Sequence, residues 1–209
     1  MWRASLLFLT AGTLALVPGR AAAQQGARDL QRSGLAREAL AGQRVAVLSL
    51  TMVVRDSLVV LPGDRGALTA WADSLLEAGL TERAPEVLWL FPLEVRRQAR
   101  KAAGRLPDGA NWGQSVMRSS QIKTVPDPLR GNLRLLMGIA GGRFAFLPAS
   151  LHLAAAPGGG VRARLEAVLT DTRSGAVSWR ATNAEADAPD AAAAVRGAIA
   201  SFLPNPDLP

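Results

Sequence analysis

The chain has 209 residues, with 24 Lys and Arg against 17 Asp and Glu, one His, and neither Cys nor Tyr. The absence of cysteine excludes disulfides, thiolate zinc sites, iron–sulfur clusters and a cysteine nucleophile. A single histidine excludes metal sites built from several histidines. Hydrophobic residues make up 49% of the chain and charged residues 20%, which is typical of a packed protein rather than a disordered one.

The first 23 residues have the order of a secretory signal peptide. Arg3 precedes an apolar run over residues 6–17, and Ala21-Ala22-Ala23 supplies small residues before the expected cleavage near Ala23-Gln24. The apolar run is shorter than the roughly 20 residues that a membrane span needs. An uncleaved anchor is the alternative. The pattern favours a periplasmic or secreted protein whose mature chain has no transmembrane span.

Positive charge is concentrated in the middle third of the chain. The net charge is +7, and it falls to +5 when cleavage removes Arg3 and Arg20. Residues 94–143 carry ten Lys and Arg against three acids. Arginine supplies most of the basic residues, and its guanidinium binds carboxylate or phosphate in a bidentate manner.

The first half of the mature chain alternates predicted strands and helices. Residues 24–43 are a flexible or weakly helical leader. Residues 44–54 are apolar at nearly every position, which predicts a strand buried on both faces. An amphipathic helix over 67–79 follows, with Gly79 at its C-cap. Residues 87–91 form a second buried strand.

A second helix is predicted over residues 93–104. One side carries an apolar stripe of Val95, Ala99, Ala102 and Leu106, and the other side is basic. A Gly-rich loop over 104–114 carries Trp112, and a short helix is expected near Ser115. Asp127, as a capping acid, and Pro128 open a third helix that Gly141-Gly142 closes.

The last third predicts a meander and a final helix. Residues 144–153 form a strand in which Pro148 favours an edge or a bulge. Residues 161–170 alternate between apolar and polar positions, and a turn over 171–175 leads to a hairpin partner over 176–182. The last helix spans 189–203, and a Pro-rich tail over 204–209 cannot continue it.

These elements predict a single-domain α/β fold over residues 44–203. A mixed sheet carries helices packed on it and ends in an antiparallel hairpin and a C-terminal helix. The pattern resembles the periplasmic domains of the CsgG family, the N-terminal domain of TolB, and the LpoB-type activators of peptidoglycan synthases. The similar features are the VAVLSL strand (45–50), the VLWLF strand (87–91) and the DTRSG hairpin (171–175) before Trp179. The resemblance implies a non-catalytic envelope module that acts through contacts.

The basic face of the second helix is the strongest candidate site. Arg96, Arg97, Arg100 and Lys101 form two like-charge pairs at i, i+4 spacing, which an anion or an acidic partner would offset. A solvated helix face is the alternative. Trp112 would supply an interface if its indole were exposed, and otherwise it packs back on the core. An envelope protein or another anionic envelope component is the expected partner, and nucleic acid is not expected.

Sequence motifs for catalysis and cofactors are weak. No phosphate-binding glycine loop is present, and no cofactor or metal is expected. Ser115 and His152 are the residues from which a hydrolase would be built, and Asp73 with Glu77 is an acidic i, i+4 pair on a helix face. The sequence therefore favours a non-enzymatic interaction module. An exported hydrolase and a small-ligand-binding protein are the alternatives.

Overall fold

The computed structural model describes residues 35, 37–61, 64–107, 111–181 and 184–203. The predicted signal peptide, most of the predicted leader and the predicted tail lie outside these residues. The described strands are β1 (Arg44–Val47), β2 (Val53–Arg55), β3 (Leu88–Leu90), β4 (Phe144–Ala155), β5 (Val161–Asp171), β6 (Val177–Arg180) and β7 (Glu185–Ala188). The described α-helices are α1 (Arg65–Arg83), α2 (Pro92–Arg100), α3 (Leu129–Ala140) and α4 (Ala191–Phe202), and two 3-10 helices cover Arg37–Leu40 and Gln114–Arg118.

The strands form one mixed sheet around a long central hairpin. β4 and β5 pair antiparallel over nearly their whole length. β1 and β2 both pair parallel with β4, one near each end, and β6 and β7 both pair antiparallel with β5. β3 adds to β1 in parallel at the outer edge. The predicted mixed sheet with an antiparallel end and a C-terminal helix is confirmed.

Helices cover both faces of the sheet. α1 and α4 pack on one face, to which β5 turns its alternate residues Val161, Ala163, Leu165, Ala167 and Leu169. α2, α3 and the second 3-10 helix pack on the other face, against alternate residues of β4 such as Ala145 and Leu147. The predicted alternation of β5 is therefore confirmed, because these five residues share one face of the strand. Val168, on the other face, is buried in the second core.

An aromatic cluster lies at the centre of the first face. The ring of Phe146 on β4 lies 6.3 Å from Trp89, 6.4 Å from Trp179 and 6.1 Å from Phe202, measured between ring centroids. These four residues come from β3, β4, β6 and α4. The cluster therefore joins three strands to the last helix.

The predicted first strand is interrupted. Residues 48–52 belong to neither β1 nor β2, although Leu48 and Met52 at the two ends of this segment each share one backbone hydrogen bond with β4. β4 carries a bulge between Pro148 and Ser150 at the same level. Proline has no N–H to donate to a neighbouring strand, so the ladder breaks where Pro148 lies. The predicted bulge at Pro148 is confirmed, and its position is central rather than at an edge.

Gly79 does not end α1, as the sequence predicted, because the helix continues to Arg83 and is capped at Ala84. A Cβ at Gly79 would lie 3.0 Å from two carbon atoms of the Ile199 side chain on α4. The glycine therefore permits a close contact between two helices. The buried stripe of α1 consists of Ala72, Leu76, Gly79 and Leu80.

Three further elements differ from the prediction. β3 is an edge strand in which Leu88 is 51% exposed, so it is not buried. β7 has the sequence EADA, whose acids and alanines do not predict a strand. Asp127 does not cap α3; its carboxylate pairs instead with Arg130 at 2.7 Å, and Pro128 occupies the cap position.

Candidate functional site

The basic face of α2 is set by the burial of its opposite face. Val95 and Ala99 are each 4% exposed and pack in the second core, as do Ala102 and Leu106 beyond the end of the helix. The predicted apolar stripe is confirmed. The positions on the other side carry basic residues: Arg97, Arg100 and Lys101 are exposed, and Arg96 is partly buried.

Few acidic side chains neutralise this surface. The Nη1 atom of Arg97 pairs with Glu94 Oε2 at 2.6 Å, and Glu94 also accepts a hydrogen bond from Gln98 at 2.6 Å. Arg96 attracts the partly buried carboxylate of Asp73 on α1 and so acts to lower the pKa of Asp73. Within the described residues, Arg100 and Lys101 have no carboxylate at ion-pair distance. The end of α2 therefore presents positive charge that no carboxylate among the described residues compensates.

Trp112 lies beside this surface but points inward. The residue is 6% exposed and belongs to the same core as Val95. Its backbone N–H donates to Gln114 Oε1 at 2.8 Å, and Gln114 Nε2 donates to the carbonyl of Ser49 at 2.6 Å. The Gln114 side chain thus links the backbone at Trp112 to the interruption between β1 and β2.

A second basic feature, which sequence reasoning missed, is a cleft of about 800 Å³ lined by Arg134, Arg143 and Arg173. We call it the arginine cleft. Arg134 is on α3, Arg143 immediately precedes β4, and Arg173 lies in the turn between β5 and β6. Only the topology brings these three residues together, so no spacing in the sequence could have indicated the cleft.

Arg143 is held in the arginine cleft by its neighbours. Its Nε and Nη2 atoms donate to Asp171 Oδ2 at 2.9 and 2.6 Å. Its guanidinium lies 5.4 Å from the centre of the Phe144 ring. The hydrogen bonds from Arg143 lower the pKa of Asp171 below its usual range. The pair therefore stays ionised and fixed in orientation.

Ser115 and His152 are the residues from which a hydrolase would be built. Among the described residues, no hydrogen bond joins Ser115 to His152. Burial, with a further contribution from Arg164, lowers the pKa of His152. In the part of the chain that the structure describes, no three acidic or histidine side chains are grouped to hold a metal ion.

The described helices include none that combines the length and the apolar character needed to cross a membrane.

Comparisons with known proteins bear on the fold. No protein-family model matches the sequence. A search of curated proteins also finds no match. Among solved structures, the chain is similar to the LpoB C-terminal domain from Salmonella enterica, with 11% sequence identity and a TM-score of 0.42. The alignment covers 71% of this chain and 84% of that domain. Of the resemblances stated from the sequence, this likeness agrees with the one to LpoB-type domains.

Proposed function

We propose that this protein is a non-enzymatic docking module of the cell envelope, exported by residues 1–23. Its docking surface is the basic face of α2, formed by Arg96, Arg97, Arg100 and Lys101. Its partner is an acidic protein surface or another anionic envelope component. The observation that carries this proposal is the uncompensated positive charge at the exposed end of α2, where Arg100 and Lys101 have no described acidic partner.

The energetics of α2 are consistent with this role. Like charges at i, i+4 destabilise an isolated helix by a few tenths of a kcal/mol per pair. Packing of Val95 and Ala99 in the core holds the helix despite that repulsion. Arg100 and Lys101 stand at the C-terminal end of α2, where the helix dipole favours positive charge. The surface can therefore persist without a partner and bind one when it is present.

Trp112 keeps a positioning role in the proposed surface. Because its indole is buried, it contributes no contact of its own to a partner. Its indole packs in the same core as Val95 and so holds the segment after α2 against the sheet. Replacement of Trp112 by Phe should therefore leave docking intact, whereas Trp112→Ala should weaken docking and lower the melting temperature together.

The proposal is tested by charge reversal with a matched control. One variant carries Arg97→Glu, Arg100→Glu and Lys101→Glu. The control reverses three exposed basic residues outside α2 and so has the same net charge: Arg65→Glu, Lys123→Glu and Arg196→Glu. Each protein is immobilised, and capture from a bacterial envelope extract is measured at low and high salt, beside the melting temperature.

We expect the wild type and the control to capture a partner, less strongly at high salt, and the α2 variant to lose that capture while it stays folded. The melting temperature of the α2 variant should fall only slightly, because reversal removes the Arg97–Glu94 pair and places negative charge at the C-terminal end of the helix. Equal loss in both variants would show a net-charge effect, and equal retention would make the basic face a solvated surface. Either result contradicts the proposal.

Export is tested separately by N-terminal sequencing of the protein from a periplasmic fraction, where Gln24 is the expected first residue.

A further inference from the structure

We infer that the arginine cleft binds a small molecule that carries two or more neighbouring oxyanion groups, either phosphates or carboxylates. The cleft lies where the C-terminal end of α3, the residues before β1 and β4, and the β5–β6 turn meet. Its volume of about 800 Å³ falls within the range of small-molecule sites. None of its lining residues belongs to α2, so the inference does not rest on the docking proposal.

Arg143 is pre-organised for such a ligand. Asp171 and the Phe144 ring fix its guanidinium, and the N–H and hydroxyl of Thr172 both donate to the carbonyl of Arg143 at 2.8 Å. The Nη1 atom of Arg143 has no described protein acceptor. Because the side chain is already held, binding an anion at Nη1 costs little conformational entropy.

Arg134 and Arg173 supply the charge that the protein leaves unmatched. Neither has a carboxylate at ion-pair distance among the described residues. The carboxylate of Asp171 is engaged by Arg143 through Oδ2 and by the backbone N–H of Arg173 through Oδ1, at 2.9 Å. Asp171 therefore offsets one of the three guanidinium groups. The remaining two favour a ligand with at least two negative groups.

The partial negative charge at the C-terminal end of α3, which lies at the cleft, is screened and so does not repel an anion. A bare helix C-terminus carries partial negative charge and would repel the ligand. Here Arg44 Nη1 donates to the carbonyl of Ala140 at 2.7 Å, and the N–H groups of Gly141 and Gly142 both donate to the carbonyl of Met137. Gly141 has a φ of +73°, which lets the chain turn back to make these bonds.

The planar guanidinium fork matches paired oxygens on phosphate and on carboxylate alike. Diphosphate and tricarboxylate groups both place such oxygens a few bonds apart. Isothermal titration calorimetry of the purified protein with sodium pyrophosphate, with citrate and with acetate distinguishes a phosphate ligand from a carboxylate ligand. We expect pyrophosphate or citrate to bind, acetate to bind far more weakly, and the affinity to fall as salt rises.

Two variants locate the site. Arg134→Gln with Arg173→Gln removes the unmatched charge, and we expect about a tenfold loss of affinity per arginine. Gly138→Glu places a carboxylate in the cleft from a helix position where an added Cβ meets nothing within 4 Å. That variant should abolish binding while the fold is retained. Arg65→Gln with Arg196→Gln removes the same charge elsewhere and should leave the affinity within about twofold.

Three results would overturn the inference. The first is that the wild type does not bind pyrophosphate or citrate at millimolar concentration. The second is that the control pair weakens binding as much as the cleft pair, and the third is that Gly138→Glu binds as the wild type does. The α2 charge-reversal variant should bind the anion as the wild type does. Loss of anion binding and loss of partner capture are therefore separate outcomes, and failure of one proposal leaves the other standing.

Discussion

The carboxylate of Asp73 on α1 accepts a hydrogen bond from the backbone N–H of Leu50, and the distance from Leu50 N to Asp73 Oδ1 is 2.7 Å. Leu50 lies in the interruption between β1 and β2, where its N–H has no neighbouring strand to bond. A helix side chain thus replaces a missing strand partner. Burial raises the pKa of Asp73 to about 6, although the hydrogen bonds from Leu50 and Ser49 oppose that rise.

We predict that Asp73→Asn stabilises the protein at neutral pH. The pKa of Asp73 is higher in the folded protein than its usual 3.8. Its contribution to stability is therefore fully present below about pH 4 and is lost as the pH rises through about 6. The amide keeps an acceptor for Leu50 without the buried charge. The free energy of unfolding at pH 7.5 should rise by about 1–2 kcal/mol, and the two proteins should converge near pH 4.

Urea denaturation at several pH values measures this difference, and Asp73→Ala is the control. Alanine removes the acceptor as well as the charge, so the N–H of Leu50 is left without a partner, and the loss should be about 1–3 kcal/mol at acidic pH. A constant offset between Asp73→Asn and the wild type from pH 4 to pH 7.5 would show that Asp73 does not titrate as described.

Two glycines inside helices should respond oppositely to alanine. Gly138 on α3 has open space where a Cβ would lie, so Gly138→Ala should stabilise the protein by about 1 kcal/mol through helix propensity. At Gly79 the same methyl group would press on Ile199 at 3.0 Å. That overpacking should cost about 1–3 kcal/mol and cancel or exceed the gain. Thermal melts of both variants test the pair. Equal stabilisation would contradict the close contact between α1 and α4.

Phe146 should be the most sensitive position of the aromatic cluster, because its ring contacts Trp89, Trp179 and Phe202. Phe146→Ala leaves a cavity among them and should cost about 3–5 kcal/mol of unfolding free energy. Phe146→Leu should cost less and should still change the near-ultraviolet circular dichroism of the two tryptophans. A cost below about 1 kcal/mol for the alanine variant would exclude a central role for this ring.

Arg180 should be more important to stability than its charge suggests. Its guanidinium is buried at the end of β6 and donates to the carbonyls of Met117 and Ile122, the latter at 3.0 Å. A lysine can reach one of these carbonyls but not both. Arg180→Lys should therefore cost about 1–3 kcal/mol and speed amide exchange in the 3-10 helix Gln114–Arg118. An unchanged melting temperature would contradict this bridging role.

Local pattern predicted the parts of the fold that depend on neighbours in sequence. The alternation of β5 and the stripe of α2 follow from strand and helix periods, and the basic face of α2 follows from the same stripe. The interruption between β1 and β2 was not predictable, because it depends on Pro148 and Asp73, which other elements supply. The prediction that Gly79 ends α1 was wrong for the same reason, because the close contact that requires this glycine is with Ile199 on a different helix.

The basic face of α2 and the arginine cleft also differ in how far the sequence predicts them. The basic residues of α2 are close in sequence, so their shared face can be found from spacing alone. The burial of Trp112 is decided by packing with other elements, and the arginine cleft depends on where α3 ends relative to β4 and the β5–β6 turn. Tertiary placement therefore determines the second site entirely and the first only in part.

The pairing of β4 with β5 is long and joins neighbouring stretches of chain through a turn over residues 156–160. A hairpin of this kind closes at a small cost in chain entropy, whereas the parallel partners of β4 must be brought from the start of the domain. We expect the amides of this hairpin to exchange last with solvent. Most residues of both proposed binding surfaces lie outside this hairpin, on α2, on α3 and in the segments between strands. Substitutions in those surfaces can thus change what is bound while the β4–β5 hairpin preserves the fold.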